Sequence, residues 1–198
     1  MAHCSMLITT TAFETTVRAI QAEKEITSVP ILERIHYRNV KAPKFHRLCD
    51  PVKESSKIAW IIHSSGSTGF PKPIFLTNYA CLANFCKTLA RRAFCTSPLF
   101  HSHGLMELFR CIYSKNTFFI GNFAFPVTRQ NLIQAMNAAK PKMLCAVPYV
   151  MKLLAETEDG IKALLQTELV LYAGSSCPDD LGDKLVERGI NVVANYGA

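Results

Sequence analysis

The sequence predicts an α/β fold, a layered and mainly parallel sheet with helices on both faces, on three observations. From about residue 57 onward, short apolar runs alternate with amphipathic segments, the pattern of parallel strands joined by crossover helices. The runs are long enough for strands and too short for helices. Finally, 198 residues with 49% hydrophobic and 19% charged side chains suit one core, which excludes a disordered or collagen-like chain.

The elements follow in order. Phe13, Val17 and Ile20 stand at helical spacing within residues 12–25. Pro30, Pro43 and Pro51 then punctuate a basic stretch, about 28–56, that reads as irregular backbone. Residues 58–62 read as a buried strand, with a Ser/Gly/Thr-rich loop after it. Over 79–93, Leu82, Phe85, Cys86 and Leu89 fall on one helical face, with Thr77 or Asn78 as cap. Leu105, Leu108, Phe109 and Ile112 predict a helix over 104–114. A strand at 117–120 precedes a helix capped by Thr128, carrying Leu132, Ile133 and Met136 and stopping before Pro141.

Residues 143–147 form the next strand, 149–156 and 159–166 carry helical patterns, and 169–173 are again a strand. Pro178 opens a helix whose Asp179 and Asp180 meet the positive end of its dipole, and Gly189 closes it. Residues 190–194 are the last strand. In sheets of this kind ligands sit beyond the carboxyl ends of the strands, which directs attention to the loops after Ile62, Phe100, Val147, Ala173 and Ala194.

Charge is unevenly placed within the net +7. Residues 1–57 hold nine Lys/Arg against six Asp/Glu, residues 58–152 ten against one, and residues 153–198 three against eight. The strongly positive middle suits an anionic ligand such as a nucleotide phosphate. Nucleic acid is disfavoured, because the basic residues are dispersed and no reading module is present. No apolar run approaches the ~20 residues of a membrane span, and the N-terminus lacks the parts of a secretory signal, so a soluble cytoplasmic protein is expected. The eight cysteines are scattered without a CxxC pair and read as buried reduced thiols.

The loop after the strand at 58–62 reads HSSGSTGFPK, from His63 to Lys72. Ser64, Ser65, Ser67 and Thr68 surround Gly66 and Gly69, so backbone N–H groups and hydroxyls can approach phosphate oxygens while Lys72 adds a cation. It is not a Walker-type loop, since Phe70 and Pro71 precede the lysine and Pro73 follows it. Alone, such a loop is an ordinary polar turn, Lys72 a solvated lysine and Tyr196 a strand-end aromatic. His101 and His103 form an HxH pair, but spacing suggests no third ligand and no metal site.

Joint arrangement raises these residues above the ordinary readings. The loop resembles the phosphate signature of the adenylate-forming superfamily: acyl-CoA synthetases, luciferases and the adenylation domains of nonribosomal peptide synthetases. PLFHSHGL at 98–105, YAGSSCP at 172–178 and NYGA at 195–198 resemble further blocks of that family, in its order. The run from about 57 to 198 is most similar to fungal synthetase-like adenylation domains that precede a carrier domain and a terminal reductase or thioesterase.

The resemblance implies a partial N-terminal domain of the adenylate-forming fold over 1–198, with core motifs at 57–198 and a C-terminal subdomain absent. It implies ATP-dependent activation of a carboxylic acid as an acyl-adenylate, with ATP and the acid as partners, the acyl acceptor being either a phosphopantetheinyl carrier domain of the full-length enzyme or CoA. Ser64, Ser65, Gly66, Ser67, Thr68, Gly69 and Lys72 are assigned to the triphosphate and His103 to the carboxylate, Lys72 and His103 being the catalytic pair. Gly174, Ser175 and Ser176 would meet the adenine, with Asn195, Tyr196 and Gly197 as its further wall. The family's phosphate-touching Thr, its Mg²⁺-holding Glu and its later Asp and Lys would lie beyond Ala198, so the chain alone is expected not to complete the cycle. The alternative is a non-catalytic nucleotide-binding or interaction remnant. An exposed apolar surface or raw sheet edge is expected near the last strand.

Overall fold

The computed structural model describes residues 4–44, 50–64 and 69–196, and the chain divides into two units, Met1–Pro51 and Val52–Ala198. In the first, strand β1 (Met6–Thr9), helix α1 (Glu14–Glu23) and strand β2 (Thr27–Pro30) form a βαβ element, with Met6 opposite Thr27 in a parallel pair. Helix α1 buries Val17 and leaves Phe13 outside. Helix α2 (Arg34–Tyr37) follows.

Helix α3 (Pro51–Ser55) starts on the last residue of the first unit and leads into the second. Strands β3 (Ile58–His63) and β4 (Pro73–Thr77) then pair antiparallel, with Ile62 opposite Ile74 and His63 opposite Pro73. Thr77 caps helix α4 (Asn78–Phe85), its Oγ1 accepting from the Ala80 N–H at 3.2 Å. After strand β5 (Ala93–Cys95) come helix α5 (Ser102–Tyr113), strand β6 (Phe118–Ile120), helix α6 (Arg129–Ala139) and strand β7 (Met143–Ala146). Helices α7 (Pro148–Ala155) and α8 (Glu158–Leu165), strand β8 (Leu169–Tyr172), helix α9 (Asp179–Glu187) and strand β9 (Val192–Ala194) complete the unit.

Five strands form one parallel sheet in the order β6-β5-β7-β8-β9. Because alternate side chains leave opposite faces, Phe94, Leu144, Ala146 and Val170 pack under α6 to α9 against Met136, Met151, Leu154, Leu164 and Leu185. Cys95, Met143, Cys145 and Leu171 point the other way, toward Cys111 of α5. Both faces are covered, as the apolar runs predict.

Four sequence expectations change. Residues 58–62 are half of a hairpin and not a buried strand: only Ile62 is buried, and Ile58 is 54% exposed. The helix over 79–93 ends at Phe85, and the expected last residue, Ala93, opens strand β5 instead, after Ala90 turns the chain at φ 51°. Its apolar face also differs, since Leu82 and Leu89 are exposed and Cys81 is buried. The stretch 28–56 is not wholly irregular, because the β-branched residues of β2 find a partner in β1. Finally, Cys4 and Cys86 are exposed, while Cys81, Cys95, Cys111 and Cys145 are buried. No helix among the described residues is long and apolar enough to cross a membrane.

Candidate functional site

The loop between β3 and β4 is tied at its neck. Ser64 N–H donates to the Lys72 carbonyl at 2.9 Å, and Lys72 N–H donates to Ser64 Oγ at 3.2 Å. These reciprocal bonds close the loop without using the Lys72 ammonium, and Lys72 is exposed. Gly69 lies at φ 147°, with open space where a side chain would be. Ser65, Gly66, Ser67 and Thr68, named above for phosphate, lie outside the described residues, as does Gly197.

A second loop, from β5 to α5, carries the PLFHSHGL block. Helix α5 presses directly on it: a Cβ on Gly104 would lie 2.5 Å from the Pro98 carbonyl oxygen and 2.6 Å from that of Ser97. Only glycine permits that approach, which brings His103 beside Ser97, with Ser97 Oγ 3.4 Å from His103 Nδ1. A Ser97 hydroxyl that donates to Nδ1 leaves the ring proton on Nε2. Nε2 is buried and has no hydrogen-bond partner. Burial and then the Arg110 charge hold the His103 pKa below its ordinary value, which favours the neutral ring.

One turn along α5, Glu107 is 2% exposed and pairs with Arg110. Burial pushes the Glu107 carboxyl up, and Arg110 opposes that push. On the sheet below, Cys145 stands opposite Cys95, and its thiol is raised well above the usual range by the Cys95 hydrogen bond and by burial. Donor atoms of His103, Glu107 and Cys145 lie within 4.8 Å of one another, a convergence the HxH spacing does not reveal. A cation there would have to compete with the Arg110 guanidinium already on Glu107. His101 instead is exposed, its ring 4.7 Å from that of Phe100.

These groups open into a cavity of about 380 Å³. One wall is the hairpin and α4, through Ile62, Ile74, Leu76, Cys81 and Asn84; the opposite rim is the carboxyl ends of β8 and β9. A ring of Trp60, Phe85 and Phe109, with centroids 4.8 to 5.8 Å apart, packs the hairpin, α4 and α5 together. Gly174 adopts φ 95°, where a Cβ would also touch Val147 at 3.4 Å. Tyr196 is 97% exposed, so its ring face is available for stacking.

Of the residues singled out by sequence, His101, His103, Gly174, Asn195 and Tyr196 line this one cavity. Ser64, Gly69, Lys72, Ser175 and Ser176 are not part of its lining. Sequence reasoning missed Ser97, Asn84, Glu107 and Arg110. A signal for Glu107 existed, since it is the single acidic residue among positions 58–152.

Comparison with known proteins agrees with this architecture. The family model for AMP-binding enzymes matches residues 2–198. The chain is 28% identical to adenylate-forming reductase Nps9 of Serpula lacrymans var. lacrymans over 87% of this chain and 18% of that protein. It is 25% identical to the non-canonical non-ribosomal peptide synthetase ascB of Acremonium egyptiacum, over 90% of this chain and 17% of the relative. The chain thus spans about a fifth of the length of these relatives. Among solved structures, ATP-bound MatB from Rhodopseudomonas palustris matches with a TM-score of 0.76 at 16% identity, over 98% of this chain and 40% of that one. The N-terminal domain of FACL13 from Mycobacterium tuberculosis matches with a TM-score of 0.77 at 16% identity, over 96% of this chain and 50% of that one. With the motif blocks in order and the family model covering nearly every residue, the chain belongs to the AMP-binding, adenylate-forming enzyme family.

Proposed function

We propose that this chain forms part of an adenylation domain in which ATP activates a carboxylic acid as its acyl-adenylate. The observation that carries this reading is the meeting of His103 with Gly174, Asn195 and Tyr196 around one cavity. One oxygen of the acid attacks the α-phosphorus, an O–P bond forms, the bond to the β-phosphate oxygen breaks, and pyrophosphate leaves. Two anions must meet, so catalysis consists mainly of positioning and charge neutralisation.

In this reading His103 Nε2–H donates to the acid's carboxylate, orienting it without giving up its proton. Tyr196 stacks on the adenine and Gly174 lets the purine approach the backbone. Ser64 to Lys72 wrap the β- and γ-phosphates, with the Lys72 ammonium stabilising the departing pyrophosphate. Mg²⁺ accompanies ATP, but Glu107 is the one carboxylate in the described cavity lining and Arg110 occupies it; the metal's ligand is proposed to lie beyond Ala198. Remaining steps, including transfer to a phosphopantetheinyl carrier, are proposed for the longer protein.

Titration of the 198-residue chain with ATP tests this. Lys72→Ala is expected to weaken ATP binding about tenfold, the loss of one charge-assisted contact, with an unchanged unfolding midpoint because Lys72 is exposed. No ATP binding at millimolar concentration would sink the reading. Acid-dependent exchange of labelled pyrophosphate into ATP by this chain alone would overturn the division of labour with downstream residues.

A further inference from the structure

The positive middle of the sequence points to an anion, yet most of that charge stands away from the cavity. Of the ten Lys/Arg over 58–152, Arg110 lines the cavity and Lys72 sits on the loop between β3 and β4. Six others, Lys87, Arg91, Arg92, Lys115, Lys140 and Lys142, occupy the segments that lead into β5, β6 and β7, at the amino ends of the parallel strands. The cavity rim lies at the carboxyl ends, so these six serve no ligand held there.

Hydrogen bonds join these segments into one surface. Thr88 Oγ1 donates to Ser114 Oγ at 3.3 Å, Arg92 Nη2 to the Ala139 carbonyl at 2.7 Å, and Lys142 N–H to the Arg92 carbonyl at 2.9 Å. Glu168 is shared by Arg91 and Lys142 at 3.1 Å each. Lys87, Arg92, Lys115 and Lys140 are exposed and form no ion pair among the described residues. Leu89, Ile112 and Tyr113 are exposed on the same segments.

Cations around apolar side chains suit a protein surface that carries carboxylates and an apolar residue. Helix α9 presents one. Asp179, Asp180, Asp183 and Glu187 are exposed there without an ion pair among the described residues, beside the exposed Val186. The helix's own cations are turned to the rest of the chain, Lys184 Nζ donating to the Ala155 carbonyl at 2.8 Å and Arg188 Nη1 to Glu158 at 2.9 Å. The spans also agree. Residues 179–187 cover about 12 Å along a helix, and three neighbouring strands cover about 10 Å across a sheet. Leu181 and Leu185 pin α9 to its own core, so its carboxylates cannot swing round to their own basic end.

We propose that the amino end of the parallel sheet docks helix α9 of a second copy of this chain. Carboxylates of one copy meet Lys87, Lys115 and Lys140 of the next, while Val186 packs among Leu89, Ile112 and Tyr113. The two surfaces differ, so the contact is heterologous, and a pair still offers one of each to further copies.

Sedimentation of the 198-residue chain tests this. Concentration-dependent association is expected at about 50 mM salt, and its association constant is expected to fall about tenfold or more at about 500 mM, where the charges are screened. Asp183→Lys/Glu187→Lys and, separately, Lys115→Glu/Lys140→Glu should each remove association, and an equimolar mixture of the two variants should regain it. Both variants remain net positive, because each pair of reversals moves the net +7 by four, so bulk attraction would not explain the rescue. Glu23→Lys/Glu25→Lys, which adds the same charge in the first unit, should leave association unchanged. ATP affinity should be the same in all three variants, since none of these residues lines the cavity.

A chain that stays monomeric at both salts, association indifferent to salt, association kept by either variant, a mixture that stays monomeric, or loss in the Glu23/Glu25 control would each overturn the proposal. A monomeric chain that binds poly-L-glutamate, and loses that binding with Lys115→Glu/Lys140→Glu, would give the basic end to another acidic partner and likewise overturn it. Should one variant fail to fold, the salt dependence of the unaltered chain together with the remaining variant decides.

Discussion

Glu107 shows how much a single residue can concentrate. In a segment otherwise rich in lysine and arginine, the one carboxylate is buried and neutralised by Arg110 three positions on, within the same helix. Burial raises its folded pKa above the unfolded value, so its contribution to stability is greatest below about pH 4.5 and is lost as pH rises through the folded pKa. Arg110 limits that loss. Arg110→Met is therefore expected to cost about 3–5 kcal/mol at pH 7, where an ionised Glu107 would lack its partner, and less at pH 5, because protonation relieves the unpaired charge. Urea unfolding at the two pH values checks this, and an equal cost at both would refute it. The charge census held a trace of Glu107, one acid against ten bases over 58–152, although it did not single the residue out. Asn84, whose Oδ1 is buried without a partner, had no such signal, because its place in the cavity lining comes from what surrounds it in space and from nothing adjacent along the chain.

At the scale of elements, periodicity identified the helices that pack on the sheet. It failed where tertiary pairing decided. Helix α6 begins where Thr128 places it, with Oγ1 accepting from the Asn131 N–H at 3.3 Å, and α8 begins likewise at Thr157, whose Oγ1 accepts from Gly160 at 3.3 Å. Thr128→Ala and Thr157→Ala should each lower stability by about 1 kcal/mol, measured by chemical denaturation. By contrast, residues 86–93 carry helical spacing yet turn away at Ala90, because the sheet needs β5 between β6 and β7. A strand three residues long leaves almost no periodic trace. The hairpin partner β4 was equally hidden, since the antiparallel return depends on a long-range register.

For the whole molecule, the motif order identified the family, while the alternation of apolar and amphipathic segments and the charge distribution reached only an α/β domain with an anionic ligand. What no motif disclosed is that the described cavity lies between two sheets that share no ladder: β3-β4 on one side and the five-stranded sheet on the other. Amide exchange should register this division. The hairpin amides of β3 and β4 are expected to exchange faster than those of β7, whose four residues are all buried in the centre of the parallel sheet. Equal protection across both would show one cooperative unit instead.

The separation has a mechanical consequence. Widening the gap between the walls breaks van der Waals contacts and the aromatic ring packing of Trp60, Phe85 and Phe109, but ruptures no strand-to-strand hydrogen bond. Cohesion at the seam thus rests on side chains, including the Arg110 bond to the Asn84 carbonyl and the Thr88–Ser114 hydroxyl pair, so its strength is set by residue identity and not by backbone pairing.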